Sequence, residues 1–363
     1  MIETLFVLGA GFSHNAGLPL QRDFTDAILK GRDLQKPGPS RTLTRFLGAF
    51  VADIFGHADN SKIWPELEDL FTCVDLAANT GHHLGQFSPA DLRTVRRALI
   101  SRIIRMLRQR YKPSGRKPGP DPLSDLVMAI DYRNSAFVVL NWDTVLEDRL
   151  SELKPEIRIC HGNGIEMVGL DGLARPEKGA HSSLQVIKMH GSINWLYCDG
   201  CRRTFAFPPA QSSQIAAQLL RKEDWARIDR TLKKHNLEGD LFDSRTRAPL
   251  LCTRCRGVEL GTRLATFSYR KALEFPMFQH SWYSAEELLR TSNRWVFVGY
   301  SLPAADFEFK HLLKRVEISR PIPPTITVVT GSNGPSPTHT NYERFFGSKL
   351  KTVAPISDVP GLL

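Results

Sequence analysis

Residues 5–13 read Leu-Phe-Val-Leu-Gly-Ala-Gly-Phe-Ser, an apolar run that gives way to a glycine pair and a hydroxyl close to the start of the chain. A buried strand ending in Gly-x-Gly can turn its backbone sharply and bring it near a pyrophosphate, while the helix that follows offers unpaired N–H groups and a partial positive charge. Gly9 and Gly11 fit such a fingerprint, but Gly17 falls too late to be its third glycine. A turn-forming loop with no ligand would read the same way, so the stretch indicates a strand, a loop and a helix and leaves the ligand open.

Three later segments repeat the pattern. Val138-Val139-Leu140-Asn141-Trp142-Asp143 is an apolar strand ending in an amide and a carboxylate, and Val186-Ile187-Lys188-Met189-His190-Gly191 is one ending in a histidine and a glycine. Trp295-Val296-Phe297-Val298-Gly299-Tyr300-Ser301 ends again in glycine and a hydroxyl. Ligands of open α/β sheets bind outside the carboxyl ends of the strands, so four such ends describe one crevice. The fold class expected is α/β, a Rossmann-like, mostly parallel sheet with helices on both faces.

Gly9-Ala10-Gly11-Phe12-Ser13, Asn141-Trp142-Asp143, His190-Gly191, the pairs Cys198/Cys201 and Cys252/Cys255, and Gly299-Tyr300-Ser301 follow one another along the chain. In type and order these motifs resemble the sirtuin-like family. The wording His190-Gly-Ser-Ile-Asn-Trp195 and Gly299-Tyr-Ser-Leu-Pro303 is closer to the bacterial sirtuin-like domains of antiviral systems than to classical deacylases. The motifs run from residue 9 to about residue 333, so 1–363 reads as a single sirtuin-like domain. Within it, 31–133 is a helical insertion and 195–262 a small zinc-binding lobe.

The pattern places a strand over 4–9 and helices near 22–30, 41–56, 65–79, 89–111 and 121–132, with breaks at the Pro- and Gly-rich stretches 36–39 and 112–120. After residue 134 strands alternate with helices near 144–151, 278–291 and 304–317, and a last strand covers 325–329. A polar helical segment, about 211–234, lies between the cysteine pairs.

A hydrophobic content of 42% with 24% charged residues is ordinary for a globular chain. No window approaches eighteen consecutive apolar residues and no basic lead precedes a hydrophobic stretch, so the expectation is a cytoplasmic protein with no membrane partner. The net charge of +10 favours anionic partners without choosing among them. Arg93, Arg96, Arg97, Arg102, Arg105, Arg108 and Arg110 share a stretch whose apolar residues recur at helical spacing, which reads as an amphipathic basic helix. Its basic face would meet nucleic acid or an acidic subunit, or be merely solvated.

Each C-x-x-C pair directs two thiolates to one centre, and four cysteines leave no open coordination position, so a zinc on Cys198, Cys201, Cys252 and Cys255 would be structural. The usual separation of such pairs is about 15–20 residues, whereas Cys201 and Cys252 enclose about fifty. Cys73 and Cys160 are left over, Cys73 in a stretch that reads as buried core.

The resemblance implies cleavage of the nicotinamide–ribose bond of NAD, with NAD as substrate. Carried over by motif, Asn141 would hold a water and a ribose hydroxyl, His190 would accept a proton, and Asp143 would receive the carboxamide N–H of nicotinamide. Gly9, Ala10, Gly11 and Ser13 would face the pyrophosphate, Gly299 and Ser301 the phosphate and adenosine ribose, and Ser332 or Asn333 the adenine. A histidine before glycine is also a common turn, and Asn-x-Asp is a common helix cap, with Asp143 or Thr144 in that role. Truncation of Asn141 or His190 is expected to leave the fold intact.

Classical deacylases also carry a Phe-Gly-Glu-x-Leu-Pro strand for the acyl-lysine peptide. Residues 264–276 do not match it, and Gly17-Leu18-Pro19-Leu20 departs from the deacylase Gly-Ile-Pro-Asp-Phe-Arg. Water is therefore the expected acceptor, giving an NAD glycohydrolase that depletes NAD when an antiviral system is triggered. The alternatives are a protein deacylase and a non-catalytic module that senses NAD or ADP-ribose. Such an activity needs control, by homo-oligomerisation or by a regulatory subunit such as a HerA-type ATPase or an argonaute-like sensor.

Overall fold

The computed structural model describes residues 2–57, 63–115, 121–162, 164–169, 183–240, 250–262, 278–331 and 336–356. In chain order the elements are β1 (Thr4–Leu8), α1 (Ala10–His14), α2 (Phe24–Leu29), α3 (Pro39–Phe55), α4 (Leu67–Thr80), α5 (Pro89–Arg110), α6 (Pro122–Ala129), β2 (Ser135–Val139), α7 (Val145–Leu153), β3 (Arg158–Cys160), β4 (Ile165–Met167) and β5 (Ser183–Lys188). There follow β6 (Trp195–Cys198), β7 (Arg203–Ala206), α8 (Ser212–Gln218), α9 (Lys222–Lys234), α10 (Gln279–Thr291), β8 (Arg294–Val298), α11 (Phe307–Ser319), β9 (Thr325–Thr330), α12 (Pro337–Phe346) and β10 (Leu350–Pro355).

Every residue of β1 and β2 is buried, which is why both read as unbroken apolar runs and not as alternating ones. They lie at the centre of a seven-stranded sheet of order β10-β9-β8-β1-β2-β5-β3, and each adjacent pair is parallel. Successive side chains alternate between two cores. Phe6, Leu8, Phe137, Val139 and Val296 face the helices of the insertion, whereas Leu5, Val7, Ala136, Val138 and Trp295 face α10, α11 and α12. The α/β class is as the sequence indicates: a doubly wound parallel sheet covered on both faces. Strand order reverses at β1, with β2 on one side and β8 on the other, and that switch point is where such sheets open a crevice.

The arginine-rich helix α5 differs from its sequence reading. It packs against α3, α4, α8 and α9 and is the hub of the helical region, not its outer face. Arg102 is 0% exposed, with Nε donating to Thr44 Oγ1 at 2.9 Å. Arg96 pairs with Asp75, Arg97 with Asp224 and Arg108 with Asp148. These guanidinium groups hold neighbouring helices together, so Arg96, Arg97, Arg102 and Arg108 do not form the simple solvated face that the periodicity suggests. Periodicity alone cannot tell a solvated charged face from one answered by acids on other helices.

The segment between the cysteine pairs also lies elsewhere than expected. Helices α8 and α9 rest on α5, and α9 on α3, so they also join the helical layer, while Ile215 of α8 stays in the core of the lobe. Ser101 Oγ donates to the Ala216 carbonyl at 2.8 Å, and Arg41 is paired with Asp240. What remains of the lobe is a three-stranded sheet, β4-β7-β6, over a small core containing Val168, Leu196, Phe205, Phe207 and Ile215. No helix among the described residues is long and apolar enough to cross a membrane.

Candidate active site

The loops after β1 and β8 meet backbone to backbone. Gly11 N–H donates to the Gly299 carbonyl at 2.8 Å, Gly9 N–H to Val298 at 3.0 Å and Phe12 N–H to Gly9 at 3.0 Å. A Cβ on Gly9 would lie 2.6 Å from Tyr300 Cα, and one on Gly299, whose φ is +63°, would lie 2.1 Å from Phe12 N. These glycines are required because one loop leans on the other, whatever the ligand. The expectation of unpaired N–H groups at this turn fails for Gly9, Gly11 and Phe12, whose amides are taken up by main-chain carbonyls.

Beside this contact opens a cavity of about 670 Å³ at the carboxyl ends of β1, β2, β5, β8 and β9. The structure brings Gly9, Ala10, Gly11, Ser13, Asn141, Asp143, His190, Gly299 and Ser301 to its wall, although they are scattered over most of the chain. The remaining lining includes Leu18, Leu20, Phe24 and Leu107, with Glu68 and Arg22. Ser332 and Asn333 lie outside the described residues.

Under the wall runs a continuous polar network. Asn141 Nδ2 donates to the Gly9 carbonyl and to Ser13 Oγ, both at 2.8 Å, which leaves Oδ1 as the acceptor end of the amide. Ser13, which accepts from Asn141, also lies near enough to the Asp143 carboxylate to favour its charged form. Asp143 Oδ1 accepts the Val145 N–H at 3.0 Å, the local turn that launches α7. Burial pushes the Asp143 carboxyl above its ordinary range, and Glu147 adds to that, while Lys188, the Val145 N–H and Ser13 oppose it.

Lys188, 0% exposed, donates to the Asp143 carbonyl and to Glu147 Oε1, the latter at 3.0 Å. The sequence reading passed over both residues as part of a strand and a helix. A signal existed: a lysine inside a fully buried strand end must have a partner. Its partner sits on α7, and nothing in the spacing names it.

His190 Nδ1 lies 2.9 Å from the Leu140 carbonyl. A carbonyl only accepts, so Nδ1 carries the hydrogen and Nε2 is the basic nitrogen of the neutral ring. His161 makes the same kind of contact to Val186 at 2.9 Å, and burial pushes its pKa down, which keeps it neutral.

The four paired cysteines form the second centre. Their sulfurs lie within 4.8 Å of one another, with Cys198 to Cys255 at 3.9 Å and Cys201 to Cys252 at 3.7 Å. Zinc–sulfur bonds of about 2.3 Å in a tetrahedron give edges of about 3.8 Å, so the set fits zinc. Both pairs make the same turn. Arg202 N–H donates to the Cys198 carbonyl and Arg256 N–H to the Cys252 carbonyl, each at 2.8 Å, with left-handed φ of 58° and 53°. The wide separation of the pairs is explained by α8 and α9, which also pack on the insertion.

No family model and no curated protein matches the chain. A crystal structure of Sir2 in complex with the inhibitor EX-527, 2′-O-acetyl-ADP-ribose and deacetylated p53 peptide is similar at 12% sequence identity and a TM-score of 0.35, over 99% of this chain and 91% of that one.

Proposed function

We propose that the cavity hydrolyses NAD to nicotinamide and ADP-ribose. The observation that carries this reading is the convergence of Asn141, Asp143 and His190 with the two glycine loops at one switch-point cavity, with their polar ends already oriented. As the bond from nicotinamide to ribose breaks, its electron pair stays with nicotinamide and positive charge develops on the ribose. Asp143 accepts the carboxamide N–H, and Asn141 Oδ1 accepts a hydrogen from the attacking water or a ribose hydroxyl. His190 Nε2 takes the proton that water loses on forming the new C–O bond. Gly9, Ala10, Gly11, Gly299 and Ser301 border the path of the pyrophosphate and adenosine, and Ser13 acts by holding the Asn141 amide.

Water as acceptor is favoured because the described cavity wall comes from the sheet loops and the helical insertion, and none of it from 195–262. Residues 264–276, which would carry a peptide-binding strand, lie outside the described residues. In the cell this activity would deplete NAD when an antiviral system is triggered, under control of an oligomer or a separate subunit. A structural zinc would hold the lobe.

The test is to incubate purified protein with NAD, with and without nucleic acid and an acetylated peptide, and to identify products. Equal release of nicotinamide and ADP-ribose without peptide supports hydrolysis. Peptide-dependent release with loss of the acetyl mass would establish a deacylase. Tight binding without turnover at high enzyme concentration would establish a sensing module.

A further inference from the structure

Each cysteine turn of the lobe is followed at once by an arginine, Arg202 after Cys201 and Arg256 after Cys255. Both stand in the left-handed region, with φ of 58° and 53°. Glycine takes that conformation at little cost and asparagine tolerates it, whereas a long side chain is held there against its preference. The turn explains the conformation; it does not explain why both positions carry arginine.

Two further arginines show that the turns form one surface. Arg203, from the first turn, donates to Glu166 Oε1 at 2.7 Å, and Arg254, from the second, reaches the same oxygen at 2.8 Å. A Cβ on Gly200 of the first turn would lie 3.4 Å from Cys255 Sγ of the second. Arg202 and Arg256 are exposed, and neither finds an acid among the described residues. Four arginines therefore stand against two acids, Glu166 and Asp199, at this tip, while Arg221 and Glu259 of the same lobe pair with each other. A zinc on four thiolates would add negative charge beneath them, but Cys198 and Cys252 are buried whereas the Arg202 and Arg256 side chains reach solvent.

We propose that the tip of the cysteine lobe binds the phosphate backbone of a nucleic acid, with Arg202 and Arg256 as its contacts. All four basic residues here are arginine and none is lysine, and the guanidinium fork matches phosphate oxygens two at a time. The fork also suits carboxylates, but a protein partner needs an apolar centre to its interface, and Leu251 is the one large apolar side chain the lobe exposes among the described residues. A phosphate chain needs no such centre, because its affinity comes from released counterions. Backbone strain kept at two matching turns also suits residues held for a contact. None of the described cavity wall comes from this lobe, so the surface is separate from the cavity.

The experiment measures binding of labelled single-stranded DNA, its duplex, the matching RNA and polyglutamate across a salt series, with zinc content and thermal stability, for wild type, the double variant Arg202→Asn with Arg256→Asn, and Glu166→Gln. Wild type should bind nucleic acid with an affinity that falls as salt rises. The double variant, whose asparagines suit the left-handed turns, should keep its stability and zinc yet bind about tenfold or more weakly at about 0.1 M salt, with a slope against log salt shallower by about 1–2. Glu166→Gln, which releases Arg203 and Arg254 from their acid, should tighten binding about threefold. No binding by wild type, or unchanged affinity and slope in the double variant, would overturn the inference, and polyglutamate held as tightly as DNA would replace nucleic acid by an acidic protein. If the double variant loses zinc together with affinity, Glu166→Gln decides: tighter binding sustains the contact, and unchanged binding reduces the arginines to offsetting the thiolates. No readout passes through the cavity, so failure of the hydrolase reading leaves this test intact.

Discussion

Asn141 has placed both of its N–H groups before any ligand arrives, and that changes what its truncation should do. Asn141→Ala and His190→Ala are each expected to lower nicotinamide release at least a hundredfold, since a general acid–base contribution is typically about 10²–10⁴-fold. Activity within about threefold of wild type would refute the assignment. Only Asn141→Ala removes two hydrogen bonds that brace Gly9 and Ser13, so while keeping its fold it should also cost about 1–3 kcal/mol in denaturant unfolding. The network also predicts a pH effect. Asp143 must be ionised to accept a carboxamide N–H, and burial raises its pKa above the ordinary value of about 3.9, so turnover should fall as pH drops through that raised value. Lys188→Met removes the cation that opposes burial, leaving Glu147 to repel and Ser13 and the Val145 N–H to stabilise, and should move the acid limb to higher pH. It should also cost about 3–5 kcal/mol by stranding Glu147. Pairing it with Glu147→Gln should recover part of the stability, and an unshifted limb in Lys188→Met would reduce Lys188 to a packing role.

At the scale of elements, α5 is held by acids that reach it from its neighbours. Asp224 on α9 is the clearest case: its carboxylate, with a side chain 1% exposed, accepts from Arg97, from Thr94 Oγ1 and from the Arg221 N–H. Burial alone would raise its pKa, but these three donors together hold it below the ordinary range. A depressed carboxylate contributes stability above its unfolded value of about 3.9 and loses it as pH falls through the folded value. Asp224→Ala should therefore cost about 3 kcal/mol at neutral pH, and the difference from wild type should shrink below about pH 4. Arg97→Glu should destabilise likewise. Unchanged stability with lost, salt-dependent nucleic-acid affinity would restore the exposed-face reading of α5. The two matching cysteine turns should hold one zinc per chain, and metal analysis under zinc-preserving conditions that found less than about half an equivalent would exclude it.

Across the whole molecule, α8 and α9 lie in the chain between Cys201 and Cys252, so lobe and helical region share one stretch of sequence. Removing zinc should loosen the lobe, and because Cys201 and Cys252 anchor the excursion at its two ends, amide exchange protection should fall in α8 and α9 as well as in β6 and β7. Loss confined to the lobe would show that Ser101, Arg97 and Arg41 hold α8 and α9 in place unaided. The net charge of +10 is a property of the entire surface, and Arg96, Arg97 and Arg108 of α5 are answered by acids within the fold.

The sequence by itself determined the parallel sheet, because strands buried on both faces must be apolar throughout, and it located the strand ends, because glycine and polar residues there interrupt such runs. It also carried signals that went unread: Ser336 followed by Pro337 marks the start of α12, where Ser336 Oγ accepts the His339 N–H at 3.2 Å. Only the tertiary structure decided that Gly9, Gly11 and Gly299 answer to one another, that Lys188 answers to Glu147, and that the arginines of α5 face acids on other helices. Local spacing records which face a residue occupies. A partner far away in the chain is fixed by how elements pack, and no periodicity within one element encodes it.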